Sequence, residues 1–250
     1  MTSTDVRILA LGDSLTLGVG DPKPGRPGFE GRLDGWVAHL VSALSNAGRD
    51  VSIVNKAFAG AQSSHVVGDQ LPRIIGLRAD VATCIIGVND LFRPAFDVDQ
   101  YRANLDTTFS ALSIAAPVVI TATIHPFDAQ YPLPTAMRSR VRAATAEANA
   151  VVREMAQRHH LLVLDLEQRP EMQSPDIWAV DRLHPNRYGH QLIAVEVLRL
   201  LHEAGHFTDV ELPQPTPLGR GANDLAHVVW VGGYVHSVVT SRLRERFASR

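Results

Sequence analysis

Val6-Arg7-Ile8-Leu9-Ala10-Leu11-Gly12-Asp13-Ser14-Leu15 opens the chain with an apolar run that stops at a glycine, an aspartate and a serine. An uninterrupted apolar run of this length reads as a central parallel strand, covered on both faces. A strand that ends in Gly-Asp-Ser and enters a turn presents one hydroxyl at its carboxyl end, where open α/β sheets place their sites. A serine in that position also reads as the N-cap of the following helix. Chemistry at Ser14 therefore depends on whether the rest of the chain supplies a base, an orienting carboxylate and donors for an oxyanion.

Further along, strand-like and helix-like patterns alternate. Residues 18–35 carry six Gly and three Pro and cannot be regular structure. Residues 36–47 show helical spacing (Val37, Leu40, Val41, Leu44) and stop at Gly48. Strands are expected at 51–55, 80–86, 117–123 and 161–166, and helices at 64–76, 99–115, 136–159 and 186–201. Strands alternating with helices predict βαβ units, and right-handed crossovers make these a three-layer α/β/α sandwich around a parallel sheet. The first four strands each end in a loop of small, polar or proline residues, so function is expected there.

The totals narrow the class. The 250 residues are 45% hydrophobic and 20% charged, an ordinary globular balance. A net charge of -2 gives no electrostatic footprint for nucleic acid. The single cysteine, Cys84, lies in an apolar run, which excludes a disulfide framework and a cysteine-ligated zinc site. Met1 to Asp5 is polar and lacks a positively charged leader, and no stretch reaches the ~18 apolar residues of a membrane span. A cytoplasmic protein is expected.

The partners that Ser14 needs occur at later strand ends. Asp181-Arg182-Leu183-His184-Pro185 follows the fifth strand. A spacing of three on a turn lets a carboxylate reach the imidazole of its own loop, hold its tautomer and stabilise the imidazolium. Asn186 can cap the next helix. Gly60, after the second strand, lets a backbone N–H approach a substrate oxygen closely, and Asn89, after the third, offers a side-chain amide. With the Ser14 N–H these make three donors from three strand ends. His125, after the fourth strand, is a candidate for lining the pocket mouth. His159 and His160 read as structural, and His202 and His206 share an i,i+4 spacing without a metal-site motif. A G-x-S-x-G elbow and a Walker A loop are both lacking, and Gly18-Val19-Gly20 starts a dinucleotide-like pattern without completing it.

Gly12-Asp13-Ser14-Leu15, Gly60, Gly87-Val88-Asn89-Asp90 and Asp181-x-x-His184, in that order, resemble the GDSL (SGNH) hydrolase family. The resemblance covers roughly residues 6–205. It implies a flavodoxin-like α/β/α sandwich with a five-stranded parallel sheet. It also implies Ser14 as nucleophile, His184 as base, Asp181 as orienter, and an oxyanion hole formed by the Ser14 N–H, the Gly60 N–H and the Asn89 side chain. The expected activity is a serine esterase acting on small-molecule carboxylic esters through an acyl-enzyme, without cofactor or metal. Its family also spans lysophospholipases and thioesterases, and the competing class is a non-catalytic α/β ligand-binding module. The loops at 18–35, 91–101 and 126–135, with Phe29, Phe92, Phe96, Phe127 and Tyr131, are expected to form a small apolar pocket suited to short acyl chains, acetyl included.

A hydrolase domain is thus expected over 1–205, with a linker at 206–222, where Pro and Gly are dense. Residues 223–250 follow helical spacing from an N-cap at Asn223 and end in an Arg-rich run. They read as a C-terminal amphipathic helix, docked on the body, mediating self-association or lying on a membrane surface.

Overall fold

In the computed structural model, which describes residues 5–21, 34–93, 96–129, 135–179 and 181–217, the first apolar run forms β1 (Asp5–Gly12) inside the sheet. Its side chains alternate between two helical layers. Val6, Ile8 and Ala10 join the core on one face, and Leu9 and Leu11 the core on the other. Both faces are buried, so no polar residue interrupts the run from Ile8 to Leu11.

The elements that follow are α1 (Ser14–Leu17), α2 (Gly35–Asn46), β2 (Asp50–Asn55), α3 (Ser63–His65), β3 (Val81–Ile85), α4 (Val88–Leu91), α5 (Val98–Ala115), β4 (Val118–Ala122), α6 (Thr135–Arg158), β5 (Leu162–Leu164) and α7 (Arg187–Glu203). The five strands make one parallel sheet in the order β2-β1-β3-β4-β5. Trp36, Leu40 and Leu44 of α2 pack with Ile193, Val197 and Leu201 of α7 on one face of the sheet. Tyr101, Leu105 and Phe109 of α5 pack with Val152 and Met155 of α6 on the other. The order of connections reverses between β1 and β3, so their carboxyl ends diverge and leave the crevice that such sheets use for ligands. Ser14 follows β1 and Asn89 follows β3.

The segment expected as one helix at 64–76 is broken. Three residues of α3 lead into a π-helical turn, Val66–Gln70, and then a 3₁₀ turn, Leu71–Ile74. Pro72 cannot donate an N–H to a continuing helix. The wider turn also places Gln70 against the end of β1, where its side chain accepts from the Gly12 N–H (2.9 Å) and donates to the Gly12 carbonyl (2.8 Å). Both backbone groups of the residue before the Asp13-Ser14 turn are thereby satisfied.

Past α7 the chain turns back along that helix. Within the stretch expected as a linker, Val210 is buried, Phe207 and Leu212 pack against the core, and Asp209 pairs with Arg49. The Thr216 N–H donates to the Gln191 side chain near the start of α7 (2.8 Å). Residues 206–217 are therefore laid on the body. The helix expected at 223–250 and its role in self-association lie outside the described residues. Among those described, no helix is long and apolar enough to cross a membrane.

Candidate active site

Gly12 ends β1 with φ of 140°, and a Cβ there would strike the Ile85 carbonyl oxygen of the adjacent strand. Only glycine fits this crossing. Asp13 then adopts extended backbone and caps α1, its Oδ1 accepting the Leu15 N–H (3.0 Å). The cap is thus Asp13, and Ser14 is the first residue of the helix. Its hydroxyl is 2.8 Å from His184 Nε2. Burial pushes the Asp13 carboxyl up to about 6, against the lowering effect of the Leu15 N–H and of His184.

His184 reaches Ser14 from a tightly tied loop between β5 and α7. Asn186 N donates to the Ile177 carbonyl and Ala179 N to the His184 carbonyl, each at 2.8 Å. Asn186 caps α7 through the Gly189 N–H, and its own amide donates to the Asp176 and Trp178 carbonyls. At the tip Arg182 takes the left-handed region, φ 55°, which a non-glycine residue adopts at some cost. Asp181 Oδ1 accepts the Leu183 and His184 N–H groups, both at 3.0 Å, and Oδ2 lies 2.7 Å from His184 Nδ1. An ionised carboxylate only accepts, so Nδ1 carries the proton and Nε2 is left to accept from the Ser14 hydroxyl. Burial raises the Asp181 carboxyl, but the hydrogen bonds and charge of His184 outweigh it and hold the group below the ordinary range.

Asn89 opens toward the same point from β3. Its Nδ2 donates to the Ala61 carbonyl (2.9 Å) and stands 3.5 Å from Asp13 Oδ2. Gly60 is exposed with φ of 80°, and a Cβ built on it meets nothing within 4 Å. The two turns are tied together by residues that sequence reasoning passed over. Gln62 Nε2 donates to the Asn89 carbonyl (3.2 Å), and the Asp90 carboxylate accepts the Ser63 N–H (3.0 Å) and hydroxyl (2.7 Å). Asn104 of α5 donates in turn to the Ser63 hydroxyl (2.9 Å). Asp90 follows Asn89 directly in sequence, and that adjacency was the one available signal.

Ser14, Asn89 and His184 line one cavity of about 40 Å³ at the carboxyl ends of the strands. Asp181 stands behind His184, and Gly60 lies one residue from the carbonyl that Asn89 holds. Leu15, Ile85, Ile124 and Leu166 supply apolar walls. The phenylalanines expected there are placed differently. Phe127 is buried in the core with Phe92 against it, and Phe96 packs on Tyr101. Phe29 and Tyr131 lie outside the described residues. His125 does line the cavity, buried and stacked on Trp178 with ring centroids 4.3 Å apart. Burial, reinforced by His184, brings its imidazole down to about 3 and so keeps it neutral.

Residues 10–192 match the GDSL-like lipase/acylhydrolase family. The chain belongs to that family. As a member it is a carboxylic ester hydrolase. It is 25% identical over 210 residues to an acetylxylan esterase from Geobacillus stearothermophilus, an alignment covering 77% of this chain and 92% of that one. A crystal structure of that esterase superposes with a TM-score of 0.61 at 23% identity, covering 78% of this chain and 94% of that one. Its solved structures include catalytic mutants in which a serine, an aspartate or a histidine is replaced by alanine. An α/β hydrolase from the metagenome of Lake Arreo superposes with a TM-score of 0.63 at 24% identity, covering 79% of this chain and 95% of that one.

Around Ser14 and His184 this GDSL-like hydrolase places two further buried supports. His190 of α7 donates from Nε2 to the Val19 carbonyl (2.9 Å) and accepts the Trp36 N–H at Nδ1 (3.2 Å), joining α7, α2 and the chain after α1. Burial brings its imidazole down to about 4, so it serves as a neutral bridge. Asp21 is fully buried: its carbonyl accepts the Asp34 N–H (3.0 Å), and its carboxylate accepts the Gly35 N–H (3.2 Å) and contacts His39 (2.7 Å). One residue thus holds both ends of the segment 22–33. His159 is paired with Asp106 (2.7 Å), away from the cavity. Among the described residues no group of three or more His, Cys, Asp or Glu side chains is placed to hold a metal ion.

Proposed function

We propose that the chain hydrolyses short-chain carboxylic esters, acetyl esters foremost, with Ser14 as nucleophile, His184 as base and Asp181 as its orienter. The observation that carries this reading is the continuous chain from Asp181 through His184 to Ser14, with contacts of 2.7 and 2.8 Å, ending at a cavity of about 40 Å³. By the measure of one probe sphere per water, that cavity has room for about three waters, which suits an acetyl group and not a long acyl chain.

In the first half-reaction Ser14 Oγ bonds to the ester carbonyl carbon as its proton passes to His184 Nε2. Charge gathers on the carbonyl oxygen, facing the Ser14 N–H, the Gly60 N–H and the Asn89 amide. Collapse of this intermediate breaks the bond to the alcohol oxygen, which leaves with the proton from Nε2. Water then repeats the sequence on the acyl-enzyme and releases the carboxylate. Asp181 keeps the proton on Nδ1 throughout. Similarity to an acetylxylan esterase over nearly its whole length supports acetylated sugars as the alcohol side.

Ser14→Ala should lower kcat on p-nitrophenyl acetate by about 10³-fold or more, with the fold retained. A fluorophosphonate should add its mass to Ser14 and to no other residue. A series of p-nitrophenyl esters beside an acetylated xylo-oligosaccharide then ranks the substrates. Full activity of the alanine variant would refute the assignment, and tight ligand binding without labelling would mark a binding module instead.

A further inference from the structure

Leu166, just past β5, lines two cavities at once. One is the cavity at Ser14. The other, of about 300 Å³, lies between α7, the turn at Pro170–Gln173 and the returning C-terminal segment. No other residue is common to both linings. The larger chamber has an apolar part that an aliphatic chain could occupy. Its apolar walls include the buried Met172 and Ile193, with Leu192 and Leu212 beside them. Its charged groups are Glu171 and the cluster of Arg169 and Arg199 paired with Glu196, in which the arginines are more exposed than the carboxylate.

We propose that Leu166 fixes the acyl-length limit of the enzyme, and that the chamber behind it is a latent subsite for an aliphatic acyl chain. The inference rests on the reading of the cavity at Ser14 as the acyl site. The Leu166 side chain is itself part of the packed core with Met172, Ile177 and Ile193, so it cannot swing aside without leaving a void. Its isobutyl group therefore caps the small cavity in wild type. Truncating it joins 40 Å³ to 300 Å³. Each acyl methylene that becomes buried should then favour the substrate by about fourfold.

The test uses the full chain, wild type, Leu166→Ala and Leu166→Val, with p-nitrophenyl acetate, butyrate, hexanoate and octanoate. Wild type should lose kcat/KM steadily beyond butyrate. Leu166→Ala should raise the hexanoate-to-acetate ratio at least about tenfold, and Leu166→Val should raise it by a smaller factor in the same direction. Adding Leu192→Trp, which fills the far chamber only, should return the ratio toward wild type. The proposal is overturned if acetate turnover and Ser14 labelling persist while the ratio stays fixed in both single variants. It is equally overturned if Leu192→Trp leaves the gain intact, because the chain then runs elsewhere. Should the alanine variant fail to fold, the valine variant decides alone. Failure of the underlying reading looks different: Ser14 is not labelled in any variant.

Discussion

Replacing Asp181 by Asn tests the geometry most directly, because the carboxylate does two jobs with its two oxygens. Oδ1 holds the loop through the Leu183 and His184 N–H groups, and Oδ2 accepts from His184 Nδ1. An asparagine keeps the first job with its carbonyl oxygen and turns an NH₂ toward Nδ1. The imidazole must then accept there, which places its proton on Nε2, facing Ser14 Oγ 2.8 Å away. A donor in that position cannot take the serine proton. Loss of kcat on the order of 10⁴-fold is expected, the scale seen for the same exchange in other triads, with KM nearly unchanged. The loop bonds survive, so Asp181→Asn should fold with a loss of about 1 kcal/mol or less. Asp181→Ala strands two N–H groups and should cost about 1–3 kcal/mol more. Initial rates on p-nitrophenyl acetate, the rate of fluorophosphonate labelling and thermal melts separate these effects. A kcat within tenfold of wild type would sink the tautomer argument, and equal melting points for the two variants would sink the loop-holding role of Oδ1. The folded Asp181 carboxyl lies below its unfolded value, so its stabilising effect is complete above about pH 4 and is lost as pH falls through the folded value. The stability difference between wild type and Asp181→Asn should therefore vanish in strong acid.

Two further outcomes follow from the buried supports. Asp90→Asn leaves only one acceptor for the N–H and hydroxyl of Ser63, loosening the turn that carries Gly60. A fall in kcat of about 10²-fold with little change in KM is expected, as for a displaced oxyanion donor, and a change in KM alone would argue against it. His190 is held down to about 4 by burial, so its stabilising effect is complete above its unfolded value of about 6.5 and disappears as pH falls through 4. Urea unfolding of wild type should weaken by about 1.4 kcal/mol per pH unit between those limits relative to His190→Gln, and parallel curves would contradict this.

The layer architecture was legible because burial on both faces writes itself as unbroken apolar runs. Val6, Ile8 and Ala10 serve one core and Leu9 and Leu11 the other, a division that no local pattern opposes. Ser14, Asn89 and His184 could be read because each follows a strand, and parallel topology brings strand ends together. What could not be read depends on contacts between distant turns. The ties from Asp90 through Ser63 to Asn104 join the turns after β3 and β2 to α5, and none has a sequence spacing that announces it. The capping role passed from Ser14 to Asp13 because Gly12 crosses Ile85 one residue before the helix can start. Helix periodicity failed at 64–76 because Gln70 is drawn to the Gly12 backbone. Pro and Gly density suggested a linker at 206–222, and in its described part, 206–217, Phe207, Val210 and Leu212 find apolar partners.

The clamp at Asp21 sets the closure of the segment that follows it. Its carbonyl and carboxylate fix residues 34 and 35 against residue 21, so the two feet of the segment 22–33 stand at a set separation. An insert of different length or composition between those feet then meets the same closure geometry. Its extra entropic cost grows only slowly with length, about 0.6 kcal/mol per doubling. The Ser14 turn lies upstream of the clamp and His184 lies on another loop. A change in the length or composition of 22–33 therefore leaves the registration of Ser14 and His184 undisturbed.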